Sequence, residues 1–479
     1  MKKPLFIIAG TNSGCGKTTV TLGILHSLLK KELKTAAFKV GPDYIDPSYH
    51  KALTGNMGCN LDSWMMSEET IYHLVNKNLS QADIGVIEGV MGLYDGISGD
   101  EYPKGSSAHI AELLQCPVIL VINAKGLAHS VIPLINGFKT HAKNIKRPRG
   151  RNQIELPLWR TNEKTSPKNK FLQGNSIKFL GVILNHVGSH SHYEMLKQLI
   201  EGKCYLPCFG FVNKLSFTFP ERHLGLIPFQ ELDGSNLKLD EIAENIDIDL
   251  ILKEATKNSI SPKTSTDAKK GKKPYNLTIA VARDEVFSFY YEDNLDVLKE
   301  QGAEVKFFSP IHDKSLPENV GGIYFGGGFP EIFAKELATN KWIMDNIKDK
   351  FMEKIPIYAE CGGLIYLFET LIDHENKKHS MLGLIKGTVK MEHKRQALGY
   401  YEAQLNDSHL PVLRGHQFHY SHVVSMDDKD VFRLYKIKKP SEKNWNTEGY
   451  RKLNLMASYL HLHFRDQMEF VHYFLEKCK

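Results

Sequence analysis

The sequence has no apolar run of the roughly eighteen residues that a membrane-spanning helix needs. The first apolar stretch, residues 5–8, ends at once in Gly10, Thr11 and Asn12 and carries no cleavage-type site. We therefore expect a buried strand there rather than a signal peptide. The hydrophobic fraction of 42 % and the charged fraction of 24 % are those of an ordinary globular protein. These absences argue against a membrane partner.

Cysteine motifs are also lacking. The seven cysteines are odd in number and show neither disulfide nor metal-ligand spacing. Cys204 and Cys208 lie four residues apart without a second His or Cys pair nearby, so a zinc site there is the less favoured interpretation. Nothing in the sequence indicates export, and we expect a reduced protein of the cytoplasm.

The net charge of +6 is concentrated in two segments. Residues 139–170 contain ten Lys or Arg against two Glu, and residues 253–273 contain seven Lys against one Glu and one Asp. Because these two segments exceed the whole positive excess, the rest of the chain is net negative. Both are poor in large apolar residues and rich in polar ones, which indicates solvated linkers or insertions. We expect no nucleic-acid partner.

Apolar runs bounded by turn residues alternate with helix-like stretches in the first half of the chain. Near-continuous apolar strands of this kind predict a parallel sheet covered on both faces. The predicted strands are 5–9, 35–40, 84–87, 118–122 and 179–184, and the clearest helices are 20–31 and 106–114.

The same pattern stops near residue 252 and restarts at 277–282. A chain of 479 residues is too long for one core. We therefore predict two α/β domains, 1–252 with a basic insertion at about 142–175, and 276–479, joined by a linker at 253–275. Further strands of the second domain are predicted at 304–308, 322–325 and 356–359.

A glycine-rich loop follows the first strand and precedes a helix, which is the context of a phosphate-binding loop. Backbone N–H groups at a helix start point at phosphate oxygens, and the helix dipole favours the anion. In this loop Lys17 can neutralise the β- and γ-phosphates of ATP, and Thr18 can offer its hydroxyl to Mg²⁺. The alternative is a tight turn without a ligand. The nucleotide-binding residues predicted from the loop are Gly14, Gly16, Lys17, Thr18 and Thr19.

Carboxylates stand at the ends of two later strands. Asp43 and Asp46 follow the second strand, and Glu88 ends the strand at 84–87. Because the carboxyl ends of parallel strands line the ligand crevice of such sheets, these side chains are candidates for metal or substrate contacts. The alternative is that Asp43 and Asp46 only shape a proline-containing turn.

The second domain carries a cysteine at a predicted strand-to-helix turn. Cys361 follows the strand at 356–359 and precedes Gly362 and Gly363, which permit a sharp turn and close approach of a substrate. The helix N-terminus lowers the pKa of such a thiol. A candidate base comes from 456–464, a predicted strand that places His461 and His463 on one face. The alternative is a cysteine that only fills a core.

Blocks 39–47, 88–96, 181–187 and 220–226 resemble the cobyrinate a,c-diamide synthase family, whose ATPase domain is similar to dethiobiotin synthetase. Asn123 departs from that pattern, in which an Asp is expected. The resemblance implies that Lys17 and Thr18 hold ATP and Mg²⁺, that Asp46 and Glu88 complete the metal site, that Asn185 reads adenine, and that Asp43 and Asp95 contact the substrate carboxylate or its phosphorylated intermediate.

The second domain resembles class I glutamine amidotransferases of the cobyric and cobyrinic acid synthase type. This resemblance implies that Cys361 is the nucleophile, that His461 is its base, and that Gly328 and Gly362 donate to the oxyanion. His463 stands where other members of the class have an acid. A Cys–His dyad is therefore what we predict.

The two resemblances together imply ATP- and glutamine-dependent amidation of the a and c carboxylates of cobyrinate through an acyl phosphate, in cobalamin biosynthesis. The substrate is then a corrinoid, the cofactor Mg²⁺, and a homodimer is one open assembly state. Four alternatives remain open: a diamide synthase for hydrogenobyrinate, one for nickel-sirohydrochlorin, a cobyric acid synthase, and a non-enzymatic ATPase regulator.

Overall fold

The computed structural model describes residues 2–56, 58–97, 103–144, 177–222, 225–231, 237–259, 274–406, 408–427 and 429–479. Within those ranges, no helix combines the length and apolar character needed to cross a membrane. Most of the basic insertion predicted at 142–175, and residues 260–273 of the predicted linker, lie outside the described residues.

The first half of the chain contains a sheet of seven parallel strands, which confirms the predicted α/β class. The sheet strands are β1 (Leu5–Gly10), β2 (Thr35–Val40), β3 (Cys59–Leu61), β4 (Ile84–Gly92), β5 (Val118–Asn123), β6 (Phe179–Val187) and β7 (Cys208–Asn213), in the order β3-β2-β4-β1-β5-β6-β7. A separate small hairpin consists of β8 (Glu221–Arg222) and β9 (Gly225–Leu226).

Helices cover both faces of this sheet. Every residue of β1 is buried, and its alternate side chains enter different cores: Ile7 packs on one face and Ile8 on the other. The helices are α1 (Lys17–Lys30), α2 (Asp46–Thr54), α3 (Glu68–Ser80), α4 (Ser107–Leu114), α5 (Val131–Asn144), α6 (His190–Leu199), α7 (Leu239–Ala243) and α8 (Ile248–Lys257), with a π-helix at Ile200–Cys204 and a 3₁₀-helix at Phe229–Glu231.

The second half contains a ten-stranded mixed sheet and a four-stranded sheet. The larger sheet has the order β11-β10-β12-β13-β22-β21-β20-β17-β18-β23 and the smaller β15-β14-β16-β19. The strands are β10 (Leu277–Ala282), β11 (Ala303–Phe308), β12 (Val320–Phe325), β13 (Ile357–Glu360), β14 (Phe368–Ile372), β15 (Lys378–Ser380), β16 (Ile385–Met391), β17 (Ala397–Leu405), β18 (Leu413–His419), β19 (Ser421–Met426), β20 (Phe432–Lys438), β21 (Asn446–Lys452), β22 (Leu455–Ser458) and β23 (His461–Leu462).

Five helices accompany these strands in the described part of the second half. They are α9 (Glu292–Glu300), α10 (Ala334–Thr339), α11 (Lys341–Met352), α12 (Gly362–Leu367) and α13 (Met468–Lys477). The parallel strands β10 to β13 and β22 form the part of the sheet from which the candidate nucleophile emerges.

Two elements differ from the sequence expectation. The strand predicted at 456–464 is broken, because the Glu448 carboxylate and the Ser458 hydroxyl accept hydrogen bonds from Tyr459 N and Leu460 N, both at 2.8 Å. The result is two strands at distant places in one sheet, β22 and β23. Helix α8 also runs five residues into the predicted linker, where Ala255 is fully buried.

The two halves contact each other through aromatic and polar side chains. Tyr400 donates its hydroxyl hydrogen to Asp62 Oδ2 at 2.7 Å, and its ring packs on Trp64. The carboxylate of Asp466 accepts hydrogen bonds from the backbone N–H of Ser67 and from the hydroxyl of Thr70, at 2.6 and 2.9 Å. These contacts fix the orientation of one half against the other.

Candidate active site

The glycine-rich loop between β1 and α1 has the backbone geometry that a phosphate cradle requires. Gly16, which precedes α1, has φ of 100°, a left-handed conformation that favours glycine. A Cβ atom at Gly16 would lie 1.8 Å from Nδ2 of Asn185, so only glycine fits. Asn185 in turn donates from Nδ2 to the carbonyl of Cys15 at 3.0 Å. The residue predicted to read adenine therefore lies directly against the loop.

The predicted metal ligands converge behind this loop. Thr18 donates its hydroxyl hydrogen to Glu88 Oε1 at 2.6 Å, and its oxygen lies 3.4 Å from Asp46 Oδ2. Lys39 pairs with both carboxylates, and His50 Nε2 lies 2.7 Å from Glu88 Oε2. Burial alone would raise the pKa of Glu88, but the nearby Lys39 and His50 outweigh it and hold that pKa well below its usual range. Glu88 is therefore charged.

The donor set suits a small hard cation. Mg²⁺ prefers oxygen ligands and usually retains waters and substrate phosphates in its shell. One hydroxyl and two carboxylates, from Thr18, Asp46 and Glu88, supply such oxygens close together. Among the described residues, no group of three or more His, Cys, Asp or Glu side chains could hold a metal ion by itself. A bound ion would thus also need ligands from ATP and water.

The two residues predicted to contact the substrate or intermediate occupy different positions. Asp43 lines the main cavity of the molecule, and its Oδ1 accepts hydrogen bonds from Ile45 N and Asp46 N at the start of α2. Asp95 lies in the turn after β4, where its Oδ2 accepts a hydrogen bond from Gly92 N at 2.9 Å. It is not among the described residues that line the cavity. Asp43 is therefore better placed than Asp95 to meet a bound molecule.

Cys361 lies at a strained turn between β13 and α12. Its φ of 48° and ψ of −102° are unusual for a residue with a side chain, as expected for a nucleophile on an elbow. Gly328 and Gly362 lie beside it, and a Cβ atom at Gly362 would come within 2.8 Å of Gly328 N. The two predicted oxyanion donors are thus adjacent to each other and to the thiol.

His461 is buried on β23, beside Cys361. Burial, the largest influence, lowers the pKa of His461, but Cys361 and Glu360 outweigh it and raise that pKa to about 9. The imidazole Nδ1 lies 3.4 Å from Glu360 Oε2. His463 lies elsewhere, with Nε2 3.5 Å from Asp293 Oδ2, and does not line the cavity.

One cavity of about 1230 Å³ joins the two halves of the site. It extends from the phosphate loop to the thiol and the imidazole, so both reactions would share one cavity. Glu88, Asp95 and Gly362 are the predicted residues outside its lining. The predicted residues that line it are Gly14, Gly16, Lys17, Thr18, Thr19, Asp43, Asp46, Asn185, Gly328, Cys361 and His461.

Sequence reasoning missed Tyr44, which lies where the two halves meet. Its ring stacks on Phe289 with centroids 5.3 Å apart and lies 5.2 Å from the ring of His461. Its hydroxyl is 3.3 Å from Nε2 of His416. The sequence shows that Tyr44 lies between two candidate carboxylates, Asp43 and Asp46, which could have suggested a place in the site. It does not show that the ring contacts residues of the second half.

Glu360 and Lys39 were also missed as parts of the site. Lys39 lies in the block that carries the family resemblance, so its pairing with two carboxylates could have been suspected. Glu360 immediately precedes Cys361. It was not predicted because the resemblance places an acid two residues after His461 instead.

Comparisons with known proteins agree with this geometry in both halves. Residues 6–226 match the model of the CobQ/CobB/MinD/ParA nucleotide binding domain, and residues 278–468 match that of the CobB/CobQ-like glutamine amidotransferase domain. The first range contains the phosphate loop, and the second contains Cys361 and His461.

Three curated relatives are similar over almost their whole length, and each is called cobyrinate a,c-diamide synthase. The protein of Caldanaerobacter subterraneus subsp. tengcongensis is 39 % identical, with 99 % of this chain and 98 % of the relative covered. That of Salmonella typhimurium is 36 % identical, with the same shares covered. That of Listeria innocua is 39 % identical over 96 % of each chain.

Proposed function

We propose that this chain, which belongs to the cobyrinate a,c-diamide synthase family, uses ATP and glutamine to convert the a and c carboxylates of cobyrinate into primary amides. It is a glutamine-hydrolysing ligase that forms carbon–nitrogen bonds. The observation that carries the proposal is the single cavity lined both by the phosphate loop and by Cys361. A regulator that only bound a partner would have no need of a thiol on a strained turn in that cavity.

Activation of the carboxylate takes place at the phosphate loop. A carboxylate oxygen attacks the γ-phosphorus of ATP, so that ADP leaves and an acyl phosphate forms. Lys17 places its positive charge beside the phosphates, and the loop N–H groups donate hydrogen bonds to the phosphate oxygens. Mg²⁺, held by Thr18, Asp46 and Glu88, would supply charge neutralisation at the phosphate oxygens.

Ammonia is produced at the other end of the cavity. His461 takes the thiol proton of Cys361, and the thiolate attacks the glutamine amide carbon. The backbone N–H groups of Gly328 and Gly362 stabilise the oxyanion. Ammonia leaves with a proton returned by His461, and water hydrolyses the thioester to glutamate.

The two products meet inside the cavity. Ammonia is mostly protonated in water at neutral pH and is then not a nucleophile, so local release favours the amide-forming step. Ammonia attacks the acyl carbon, phosphate leaves, and the amide forms. One ATP and one glutamine are consumed for each carboxylate, and two of each for the diamide.

Mass spectrometry of cobyrinate after incubation with the protein, ATP, Mg²⁺ and glutamine tests this proposal. We expect two successive acid-to-amide mass changes, with ADP, phosphate and glutamate formed in equal amounts to the amides. Omission of ATP should leave the substrate unchanged. Conversion of hydrogenobyrinate or nickel-sirohydrochlorin in preference to cobyrinate would overturn the substrate assignment but not the reaction. Absence of any ATP- and glutamine-dependent amidation would overturn the function.

The setting of the reaction belongs to the same proposal. We propose a cytoplasmic enzyme without a nucleic-acid partner, because all seven cysteines are free and buried and the basic segments read as solvated insertions. A homodimer is the assembly to be tested, by sedimentation of the purified protein with and without ATP.

A further inference from the structure

The Glu360 carboxylate is buried among hydrogen-bond donors next to the nucleophile. Its Oε1 accepts hydrogen bonds from the Tyr358 hydroxyl at 2.7 Å and from Leu462 N at 3.2 Å. Its Oε2 accepts one from the Tyr324 hydroxyl at 3.1 Å and lies 3.4 Å from Nδ1 of His461. The side chain is 1 % exposed. Because an ionised carboxylate out of water needs both hydrogen bonds and a countercharge, each of these contacts matters.

Its three hydrogen-bond donors are uncharged, so they leave the negative charge uncompensated. Among the described residues, His461 is its ion-pair partner. His461 needs Glu360 in turn, because its Nδ1 is buried and has no hydrogen-bond partner among the other described residues. The separation of 3.4 Å is long for a hydrogen bond, and contacts of this kind tighten when the substrate binds.

Strand alternation explains how an acid can neighbour the nucleophile without meeting its thiol. Tyr358 and Glu360 share one face of β13, whereas Ala359 and Cys361 pack into the core on the other face. The carboxylate therefore approaches the imidazole from one side and the thiol approaches it from another.

The position where an acid is usual does not perform this role. His463 faces Asp293, and the Asp293 carboxylate is held by Arg465 through hydrogen bonds of 2.6 and 2.7 Å. That carboxylate is thus already neutralised by a guanidinium. Burial, the largest influence, lowers the pKa of His463, so this imidazole is mostly neutral near pH 7. A neutral imidazole cannot supply the negative charge that an acid would bring to His461.

We propose that Glu360 is the positioning residue of the glutaminase site, whose carboxylate accepts the Nδ1–H of His461 and so directs Nε2 toward the thiol of Cys361. The inference rests on the proposed function and deepens it, because it replaces a Cys–His dyad by a triad whose acid precedes the nucleophile. Such an acid fixes the tautomer of the histidine and stabilises the imidazolium that forms when the thiol is deprotonated.

The other groups that face His461 bear on its titration. Besides Cys361 and Glu360 these are Tyr44, His416 and His419. Burial lowers the pKa of His416 well below its usual range and that of His419 to about 4, so both are neutral near pH 7. Glu360 is therefore the negative charge whose loss should change how His461 titrates.

The test compares glutaminase rates of the full-length protein across pH for the wild type, Glu360→Gln, Glu360→Asp and His463→Gln. In the wild type we expect the rate to fall as pH rises through about 9, where His461 loses the proton that it returns to ammonia. In Glu360→Gln the carboxylate that helps to raise the pKa of His461 is lost. The fall in rate at alkaline pH should therefore begin at a lower pH. We expect kcat to fall at least about a hundredfold, with KM within a few-fold.

The remaining variants separate positioning from a structural role. Glu360→Asp keeps the negative charge, so its rate should fall at a pH closer to that of the wild type than the rate of Glu360→Gln does. His463→Gln should leave the pH of this fall unchanged. Synthesis with ammonium chloride should persist in all three, which shows that they fold. A wild-type rate and pH profile in Glu360→Gln would overturn the inference alone. A wild-type protein without glutaminase activity would instead overturn the proposed function.

Discussion

At the scale of single residues, Lys17 has the most direct effect on the ATP reaction. Burial, the largest influence, lowers the pKa of Lys17, and nearby carboxylates such as Glu88 oppose that effect. Because Lys17→Ala removes the charge beside the β- and γ-phosphates, we expect synthesis to slow by about a thousandfold. The measurement is the rate of amide formation with ammonium chloride as the nitrogen source.

Glutamine hydrolysis provides the internal control for this variant, since the thiol site should still function without ATP activation. Lys30→Ala, at the opposite end of α1 and exposed, is the matched substitution and should leave synthesis within a few-fold of the wild type. Undiminished synthesis in Lys17→Ala would show that ATP reacts elsewhere.

The thiol allows the two reactions to be separated. Cys361→Ala should abolish glutamine-dependent synthesis but retain ammonia-dependent synthesis, because activation of the carboxylate takes place at the phosphate loop. Cys116→Ala is a suitable control, since that residue is also buried but does not line the cavity. Both rates are measured as ADP and amide formation. If a folded Cys361→Ala protein lost both activities, the division of labour would be wrong.

At the scale of elements, the loop between β2 and α2 connects the two chemistries. Its Asp43, with Asp46 at the start of α2, lies on the ATP side, and its Tyr44 lies against His461 and His416 on the glutaminase side. We therefore expect a ligand that binds Asp43 or Asp46 to affect the position of the Tyr44 ring, which packs against the imidazole of His461.

Truncation of that ring should uncouple hydrolysis from synthesis. Tyr44→Ala opens space between the two sites, so we expect more glutamate to form for each amide than in the wild type, in which the two amounts should be equal. Tyr44→Phe keeps the stacking on Phe289 and removes the hydroxyl that contacts His416 and Tyr291, so its ratio should stay near that of the wild type. Equal ratios in Tyr44→Ala and the wild type would contradict a coupling role for this loop.

Elements with a strong local pattern could be predicted from the sequence. The strand before the phosphate loop depends on a local apolar run, and the loop depends on the conformational freedom of Gly16. Because both causes are local, both predictions were confirmed by the fold. The strand predicted at 456–464 was wrong as one element, because its break depends on Glu448, a residue from a neighbouring strand. No local pattern reports that contact.

The acid beside His461 shows a second limit of sequence reasoning. Glu360 and His461 are about a hundred residues apart in the chain and meet only because β13 and β23 end at the same site. The sequence left open whether His463 assists His461, and the structure places that imidazole against Asp293. Cys361 and His461 were singled out by their neighbours in sequence, whereas Glu360 stands out only once the fold brings it to His461.

At the scale of the whole molecule, the cavity arises from the packing of two halves and belongs to neither alone. Its lining includes the phosphate loop in the first half and Phe289, Gly328 and Cys361 in the second. The polar contacts of Asp466 with Ser67 and Thr70 hold the halves in this arrangement. A sequence can predict each half but not the space between them.

That shared space determines the isotopic origin of the product nitrogen. If amide-¹⁵N glutamine is supplied together with an excess of unlabelled ammonium, nitrogen released at Cys361 reaches the acyl phosphate before it mixes with the solvent pool. The amides formed should then carry ¹⁵N out of proportion to its share of total ammonia, and Cys361→Ala in the same mixture should yield unlabelled amide. A label diluted to the solvent ratio would mean that ammonia equilibrates with bulk water before it reaches the acyl phosphate, and that the shared cavity does not retain it.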